Sequence, residues 1–208
     1  GTIGKPIDHI EVKIAEDGEI LCKGSNIMLG YYKNEEQTRN AIDEDGFFHT
    51  GDIGFLDEEG FLTITDRKKE MFKTSGGKYI APQYIENKLK QSRFIEQAMV
   101  VGEGEKMPAA FLQVNFAFVR EWLKRHGDKQ TLSNEALVKD ERVRERITQE
   151  VERINKKLGK WEQIKVFDLT PDEWSIDGGH LTPTLKLKRR IILEKYKDMY
   201  NTFYNKES

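Results

Sequence analysis

Residues 65–80 read "TDRKKEMFKTSGGKYI", and the chain changes character across them. Upstream, short alternations of apolar and polar residues are separated by acidic-Gly turns, the pattern of antiparallel strands. Downstream, amphipathic helical stretches alternate with compact apolar runs. The basic cluster Arg67, Lys68 and Lys69 lies at the change, and "KKEMFKTSGGKYI" reads as two strands joined through Ser75-Gly76-Gly77, a tip where glycine supplies positive φ. The pattern predicts a mostly β first part and an α+β second part, with the break near Asp66 to Lys69.

Working outward, "IEVKIAEDGEILCK" alternates on both sides of Asp17-Gly18 and reads as a hairpin. "NEEQTRNAI" reads as a short helix capped by Asn34, with Gln37 three residues on. Asp45-Gly46 and Glu59-Gly60 are turns between aromatic-rich strands. After the break, Pro82 can open a helix over "PQYIENKLKQ", and "AMVVG" and "AAFLQVN" read as paired strands. "FAFVREWLKRHG" is helical, with Gly127 as a stop. Val143, Ile147, Val151, Ile154 and Leu158 make one apolar stripe on a long helix. "IKVFDL" is a further strand, and Ile192, Tyr196, Met199, Tyr200 and Phe203 share one side of a last helix.

With 34 Lys+Arg against 36 Asp+Glu, the net charge of −2 gives no global attraction to nucleic acid or an anionic membrane. A single cysteine, Cys22, cannot form an internal disulfide, which fits a reducing, cytoplasmic setting. The opening "GTIGKP" is no natural start, so the chain reads as a piece of something longer.

Four stretches have unusual local chemistry. "HTGDIG" sets Asp52 in a tight Gly-flanked turn, where its carboxylate either accepts from paired hydroxyls or makes a structural Asx-turn. "TDRKK" is a cationic cluster or a solvated linker. "TSGGK" fails the P-loop pattern, because Phe72 stands where the first Gly belongs and Tyr79 follows Lys78. In "LTPTLKLKRR", residues 181–190, an extended chain would turn Leu185 and Leu187 to one face and Thr184, Lys186 and Lys188 to the other. An edge strand with a solvated basic face is the simple reading of that stretch.

Taken in order, "GEILCKGSNIMLGYYKNEEQT", "DGFFHTGDIGFLDEEGFLTITDRKKEMFKTSGGKYIAPQYIE" and "LTPTLKLKRR" carry a resemblance. The chain resembles the C-terminal portion of the adenylate-forming acyl-CoA synthetases, and most closely the long-chain fatty acid–CoA ligases. The resemblance implies an α+β fold: the end of a large adenylation domain over residues 1–66, a hinge over 67–69, and a mobile C-terminal domain over 70–208. It implies that a fatty acid and ATP, with Mg2+, give an acyl-adenylate, and that coenzyme A then takes the acyl group. The phosphate loop, adenine pocket and acid pocket would lie upstream, in the N-terminal domain of the same chain. That absent part is also where any peripheral membrane association would reside.

By matching motif positions, Asp52 resembles the carboxylate that binds the ribose hydroxyls of ATP, and a carboxylate suits this as an acceptor of two charge-assisted hydrogen bonds. Arg67 is similar to the arginine that contacts ribose or phosphate, and Lys69 to the hinge residue. Lys186 resembles the catalytic lysine of adenylation, with Leu185 and Leu187 as anchors of its strand. Many relatives carry Gly just before this lysine, and the long-chain branch shares the Leu185 seen here. Lys188, Arg189 and Arg190 read as secondary phosphate contacts or a solvated helix start. Gly76 resembles the hairpin glycine lining the pantetheine tunnel, with Lys78 beside it as a basic residue for nucleotide phosphates. "DEWSIDGGH", residues 172–180, departs from the shorter, more acidic lead-in the family implies. Alternatives are another acyl- or aryl-CoA ligase, an adenylation module, or a binding module without catalysis; a nucleic-acid partner has no motif to support it.

Overall fold

A computed structural model describes residues 2–128 and 131–206. The chain divides between Met71 and Phe72 into two compact units. The first is a four-stranded antiparallel sheet of sequential strands, β1 (Ile10–Ile14), β2 (Glu19–Gly24), β3 (Phe48–Leu56) and β4 (Leu62–Arg67), with helix α1 (Glu35–Ala41) between β2 and β3. Its first hairpin turns at Asp17-Gly18, with Ile14 opposite Ile20 and Gly18 at φ 84°. Asn34 caps α1 by accepting from the Gln37 amide at 3.0 Å, and the Gln37 side chain accepts from Asn34 in return. The cap is the one the Asn-x-x-Gln spacing predicts, but the return bond comes from the Asn34 side-chain amide, because its backbone amide donates to the Tyr31 carbonyl.

The second unit is α+β. A two-stranded ribbon, β5 (Phe72–Lys73) and β6 (Tyr79–Ile80), leads into α2 (Pro82–Leu89), with Pro82 in its first turn. A three-stranded sheet follows, β7 (Ile95–Val101), β8 (Ala109–Val114) and β9 (Val166–Thr170), with β8 in the centre. β7 and β8 are antiparallel, whereas β9 runs parallel to β8, Ala109 facing Val166. Between β8 and β9 lie α3 (Phe116–Arg125), α4 (Asn134–Leu137) and α5 (Glu141–Asn155); α6 (Arg189–Lys195) and α7 (Lys197–Phe203) close the unit.

Every residue of β8 is buried, and strict alternation divides them between two cores. Ala110, Leu112 and Val114 pack with Ile85 and Leu89 of α2, Val119 and Leu123 of α3, and Val143, Ile147, Val151 and Ile154 of α5. Ala109 and Phe111 pack on the opposite face with Trp174, Ile192, Tyr196 and Phe203. The sheet is therefore sandwiched between helices on both faces. No helix among the described residues is long and apolar enough to cross a membrane.

Three expectations need correction here. The apolar stripe of the long helix is as expected through Ile154, but the helix ends at Asn155, and Leu158 is buried from the turn beyond. The last helix is two helices, because the backbone leaves helical geometry at Tyr196 (φ −107°, ψ 31°), which lets Tyr196 and Phe203 both reach Phe111. The stretch 181–190 is not a continuous strand. It folds back on itself, with Leu181 bridged to Leu187, so Leu185 and Leu187 do not share a face.

Candidate functional site

In the first unit, Asp52 sits within β3 rather than in a tight turn, directly opposite Arg67, the last residue of β4. The Arg67 Nε lies 2.6 Å from the Asp52 Oδ1. The strand is kinked here: Gly51 takes φ 71°, and the β2–β3 register advances four residues on β3 for two on β2, from Leu21↔His49 to Glu19↔Ile53. A glycine in the left-handed region at such a bulge re-aims the next side chain. The Thr50 hydroxyl donates to the Ile20 carbonyl and accepts from the Asp52 amide.

A buried carboxylate that sequence reasoning missed holds this bulge. Glu19 accepts from the Gly51 amide at 2.9 Å, pairs with the Lys68 ammonium at 2.8 Å, and lies 2.9 Å from the His49 Nδ1. Lys68 also pairs with Asp17 at 2.7 Å. Burial pushes the Glu19 carboxyl up, but the hydrogen bonds from Lys68, His49 and Gly51 outweigh it and hold the group below its ordinary range. Asp17 is held low and Lys68 high, each chiefly by their mutual hydrogen bond. No local signal marks Glu19, because its burial follows from the register of the bulge. Lys69 is exposed in the turn after β4, where the Glu70 and Met71 amides both donate to the Arg67 carbonyl.

In the second unit, Gly76 and Lys78 lie on the loop between β5 and β6, and Lys186 lies on the loop between β9 and α6. Around Lys186, the Thr182 amide donates to the Lys186 carbonyl at 2.8 Å, the Leu185 amide to the Thr182 carbonyl at 2.8 Å, and the Lys186 amide to the Thr182 hydroxyl at 3.0 Å. Lys186 is exposed at the end of this five-residue loop. Leu185 adopts φ 59° and is 67% exposed, so it anchors nothing. A left-handed residue just before the lysine is a position that glycine would fill without steric cost. Leu187 alone packs inward, against the core of Phe111 and Ile192.

Arg189 is not a solvated helix start. Its guanidinium forms a two-pronged pair with the buried Glu86 of α2, both contacts at 2.8 Å, and the Glu86 carboxylate also accepts the Val100 amide at 2.8 Å. The lead-in 172–180, which looked anomalous in sequence, is a packed polar knot. Lys195 reaches Asp172 at 3.1 Å and the Nε2 of buried His180 at 3.2 Å, and the Tyr196 hydroxyl donates to Asp172 at 2.6 Å. The Gln113 side-chain Oε1 accepts from the Trp174 amide, tying the lead-in to β8.

The left-handed glycine of the "TSGGK" loop is Gly77, at φ 78°, and not Gly76. A Cβ at Gly76 would meet nothing within 4 Å. Neither backbone conformation nor crowding among the described residues calls for glycine at 76. The ammonium of Lys78 lies 5.5 Å from the ring centre of the half-exposed Trp161. Among the described residues no group of three His, Cys, Asp or Glu side chains could hold a metal.

Residues 70–208 match the family described as the AMP-binding enzyme C-terminal domain. The chain is 38% identical over 207 residues to the long-chain-fatty-acid–CoA ligase FadD15 of Mycobacterium tuberculosis, covering all of this chain and 34% of that protein. It is 34% identical to the long-chain-fatty-acid–CoA ligase ACSBG1 of Bos taurus, over 98% of this chain and 31% of that one. It thus spans about a third of the length of these relatives. Among solved structures, the adenylation domain of a carboxylate reductase from Mycobacterium chelonae has the same fold, with a TM-score of 0.67 at 22% identity, over 97% of this chain and 31% of that one. O-succinylbenzoate coenzyme A synthetase from Bacillus subtilis, in complex with AMP, matches at a TM-score of 0.58 and 25% identity, over 91% and 34% of the two chains. With a family match that runs across the second unit, the chain belongs to the AMP-binding enzyme C-terminal domain family.

Proposed function

We propose that this chain is the C-terminal part of an ATP-dependent, AMP-forming long-chain fatty acid–CoA ligase, working together with an upstream adenylation domain. The observation that carries the reading is the presentation of Lys186: an exposed ammonium on a loop whose backbone is fixed by three hydrogen bonds. In the first step Lys186 neutralises the charge that builds between the attacking carboxylate and the α-phosphate. A compact, flexible-stemmed cation can reach both groups, and such preorganised charge is worth most in a site closed from water. The Asp52 carboxylate holds the ribose hydroxyls, with Arg67 fixing its orientation. A carboxylate has about four acceptor sites, so the contact from Arg67 leaves room for two hydroxyl donors. Lys69 serves as the hinge, absorbing the dihedral change between the two steps.

In the second step the loop at Gly76 lies along the path of the pantetheine thiol, and Lys78 faces the phosphates. Among the described residues a Cβ at 76 would meet nothing within 4 Å, so the backbone there is open to the close passage of the pantetheine arm. The test is fatty-acid-dependent exchange of pyrophosphate into ATP by the two-domain enzyme. Lys186→Ala is expected to slow exchange by ~10²–10³-fold, comparable to losing one oxyanion donor, and to leave transfer from preformed acyl-adenylate to coenzyme A nearly intact. Equal loss in both steps would remove Lys186 from the chemistry. The 208 residues alone are expected to catalyse neither step, and exchange activity in them would overturn the reading.

A further inference from the structure

The two loops that the proposed function uses are fastened to the body of the second unit through two different glutamates. Glu86 is buried on α2, and its carboxylate accepts the Val100 amide of β7 while gripping both ends of the Arg189 guanidinium. Arg189 lies three residues past Lys186, as the first residue of α6. Between them the Lys188 amide donates to the His180 carbonyl at 2.8 Å. A two-pronged Arg–carboxylate pair fixes orientation as well as distance. It therefore sets where the outgoing arm of the Lys186 loop enters α6.

Glu105 lies in the turn between β7 and β8, and its backbone carbonyl accepts the Ser75 amide at 2.8 Å. The neighbouring Gly104 amide donates to the Lys73 carbonyl at 2.8 Å. This turn is thus laid against the Gly76 loop by two backbone hydrogen bonds. The Glu105 side chain is held in turn by the Tyr200 hydroxyl at 2.9 Å and by the Lys206 ammonium. Burial works against the charged form, but the hydrogen bonds from Lys206 and Tyr200 prevail and keep the carboxyl below its ordinary range.

We propose that Glu86 and Glu105 are positioning residues with separate tasks: Glu86 holds the Lys186 loop for acyl-adenylate formation, and Glu105 holds the Gly76 loop for thioester transfer. The proposal rests on the function proposed above. Neither carboxylate needs to touch substrate; each acts by fixing a loop whose displacement by an ångström is felt in rate.

The experiment compares Glu86→Gln and Glu105→Gln in the two-domain enzyme, with palmitate as substrate. Pyrophosphate exchange and palmitoyl transfer from preformed palmitoyl-adenylate are measured separately. Glu86→Gln should slow exchange on the order of ~10-fold and change transfer by less than about twofold, and Glu105→Gln should do the reverse. Each variant controls the other, because a general loss of folding lowers both reactions together. Arg189→Lys keeps the charge but loses the fork, and should reproduce the Glu86 selectivity in milder form. Equal effects on the two reactions in both variants would overturn the proposal. Hydrogen exchange on the 208-residue chain decides the fastening independently of any reaction. Glu86→Gln should hasten exchange across 182–188 and Glu105→Gln across 73–78, and unchanged protection in either loop defeats the assignment. An unsubstituted two-domain enzyme inert towards palmitate, with the hydrogen-exchange pattern as expected, would count against the proposed function alone.

Discussion

Lys78 and Lys186 occupy the same position in two copies of one turn. In each, a threonine four residues earlier donates its amide to the lysine carbonyl, at 2.9 Å from Thr74 and 2.8 Å from Thr182. In each, that threonine's hydroxyl accepts the lysine amide, at 3.2 Å and 3.0 Å. The residue before the lysine is left-handed in both, Gly77 at 78° and Leu185 at 59°. The sequences "TSGGK" and "TPTLK" share only their first and last letters. The common geometry comes from the threonine hydroxyl and from the one backbone position with positive φ.

Leu185 offers the simplest test of that geometry. A non-glycine residue in the left-handed region costs about 1–2 kcal/mol, and the side chain here is mostly exposed. Leu185→Gly should therefore leave stability unchanged or raise it by up to about 1 kcal/mol, after the entropy that glycine costs the fold. A buried leucine would instead cost about 2–5 kcal/mol when truncated. Denaturant unfolding of the chain measures this, and a loss above about 2 kcal/mol would mean that Leu185 is packed.

Gly76 and Gly77 should behave differently although they are adjacent. Gly77→Ala forces a β-carbon into the left-handed region and should cost about 1–2 kcal/mol of stability. Gly76→Ala meets open space without positive φ and should be nearly neutral in unfolding. In the two-domain enzyme, Gly76→Ala, Gly76→Asn and Gly76→Leu should impair thioester transfer in rising order of size, with pyrophosphate exchange near normal. Transfer that ignores side-chain size would refute the tunnel assignment.

Glu19 is the buried group on which the Asp52 bulge depends. Removing it strips a hydrogen-bond partner from the Gly51 amide and leaves Lys68 and His49 without their shared acceptor. Glu19→Ala should destabilise the first unit by about 1.5–3 kcal/mol, the range for hydrogen bonds to a charged group. The folded-state pKa of Glu19 lies below its ordinary 4.5, so its contribution is present above pH 4.5 and lost as pH falls through the folded value. Thermal unfolding of both proteins from pH 7 to pH 3 should show the two curves converging in acid.

His180 gives a second pH dependence, in a different window. Burial first and the neighbouring Lys195 second push its pKa below 6.5, while Asp172 opposes them. The groups facing it are Lys195, Asp172 and the ring of Trp174, with Tyr196 bound to the same Asp172. Below pH 6.5 the unfolded chain binds a proton that the folded chain resists. Stability from this residue is therefore full above pH 6.5 and falls as pH drops towards the folded value. His180→Gln should remove that part of the slope below pH 6.5, and an identical slope in the variant would show that His180 titrates normally.

Most elements could be read from the sequence wherever periodicity was local. The Asp17-Gly18 hairpin, the Asn34 cap, Pro82 and the stripe of α5 each announce themselves within a few residues. The errors have a common physical origin. The stretch 181–190 alternates like a strand, but Pro183 and the left-handed Leu185 bend it into a loop, and alternation alone cannot reveal a positive φ. The two glycines of "SGG" differ only in which one takes that conformation. Glu19, Glu86 and Glu105 were missed, and Arg189 was misread, because their partners are distant in the chain, as with the 103 residues separating Glu86 from Arg189. Their charged side chains look solvent-directed until the register and packing are known.

The parallel pairing of β9 with β8 also has a consequence in time. Parallel neighbours need a long crossover, here carrying α3, α4 and α5, and closing so large a loop costs entropy before any ladder bond rewards it. Hairpins such as β7–β8 can form early from local contacts, whereas β9 can dock only after its crossover has collapsed. The Lys186 loop lies past β9 in the chain, beyond the lead-in 172–180, which is tied to β8 through the Trp174 amide. During refolding the lysine should therefore reach its fixed geometry among the last events, well after the Gly76 loop, whose strands are separated by only the turn itself.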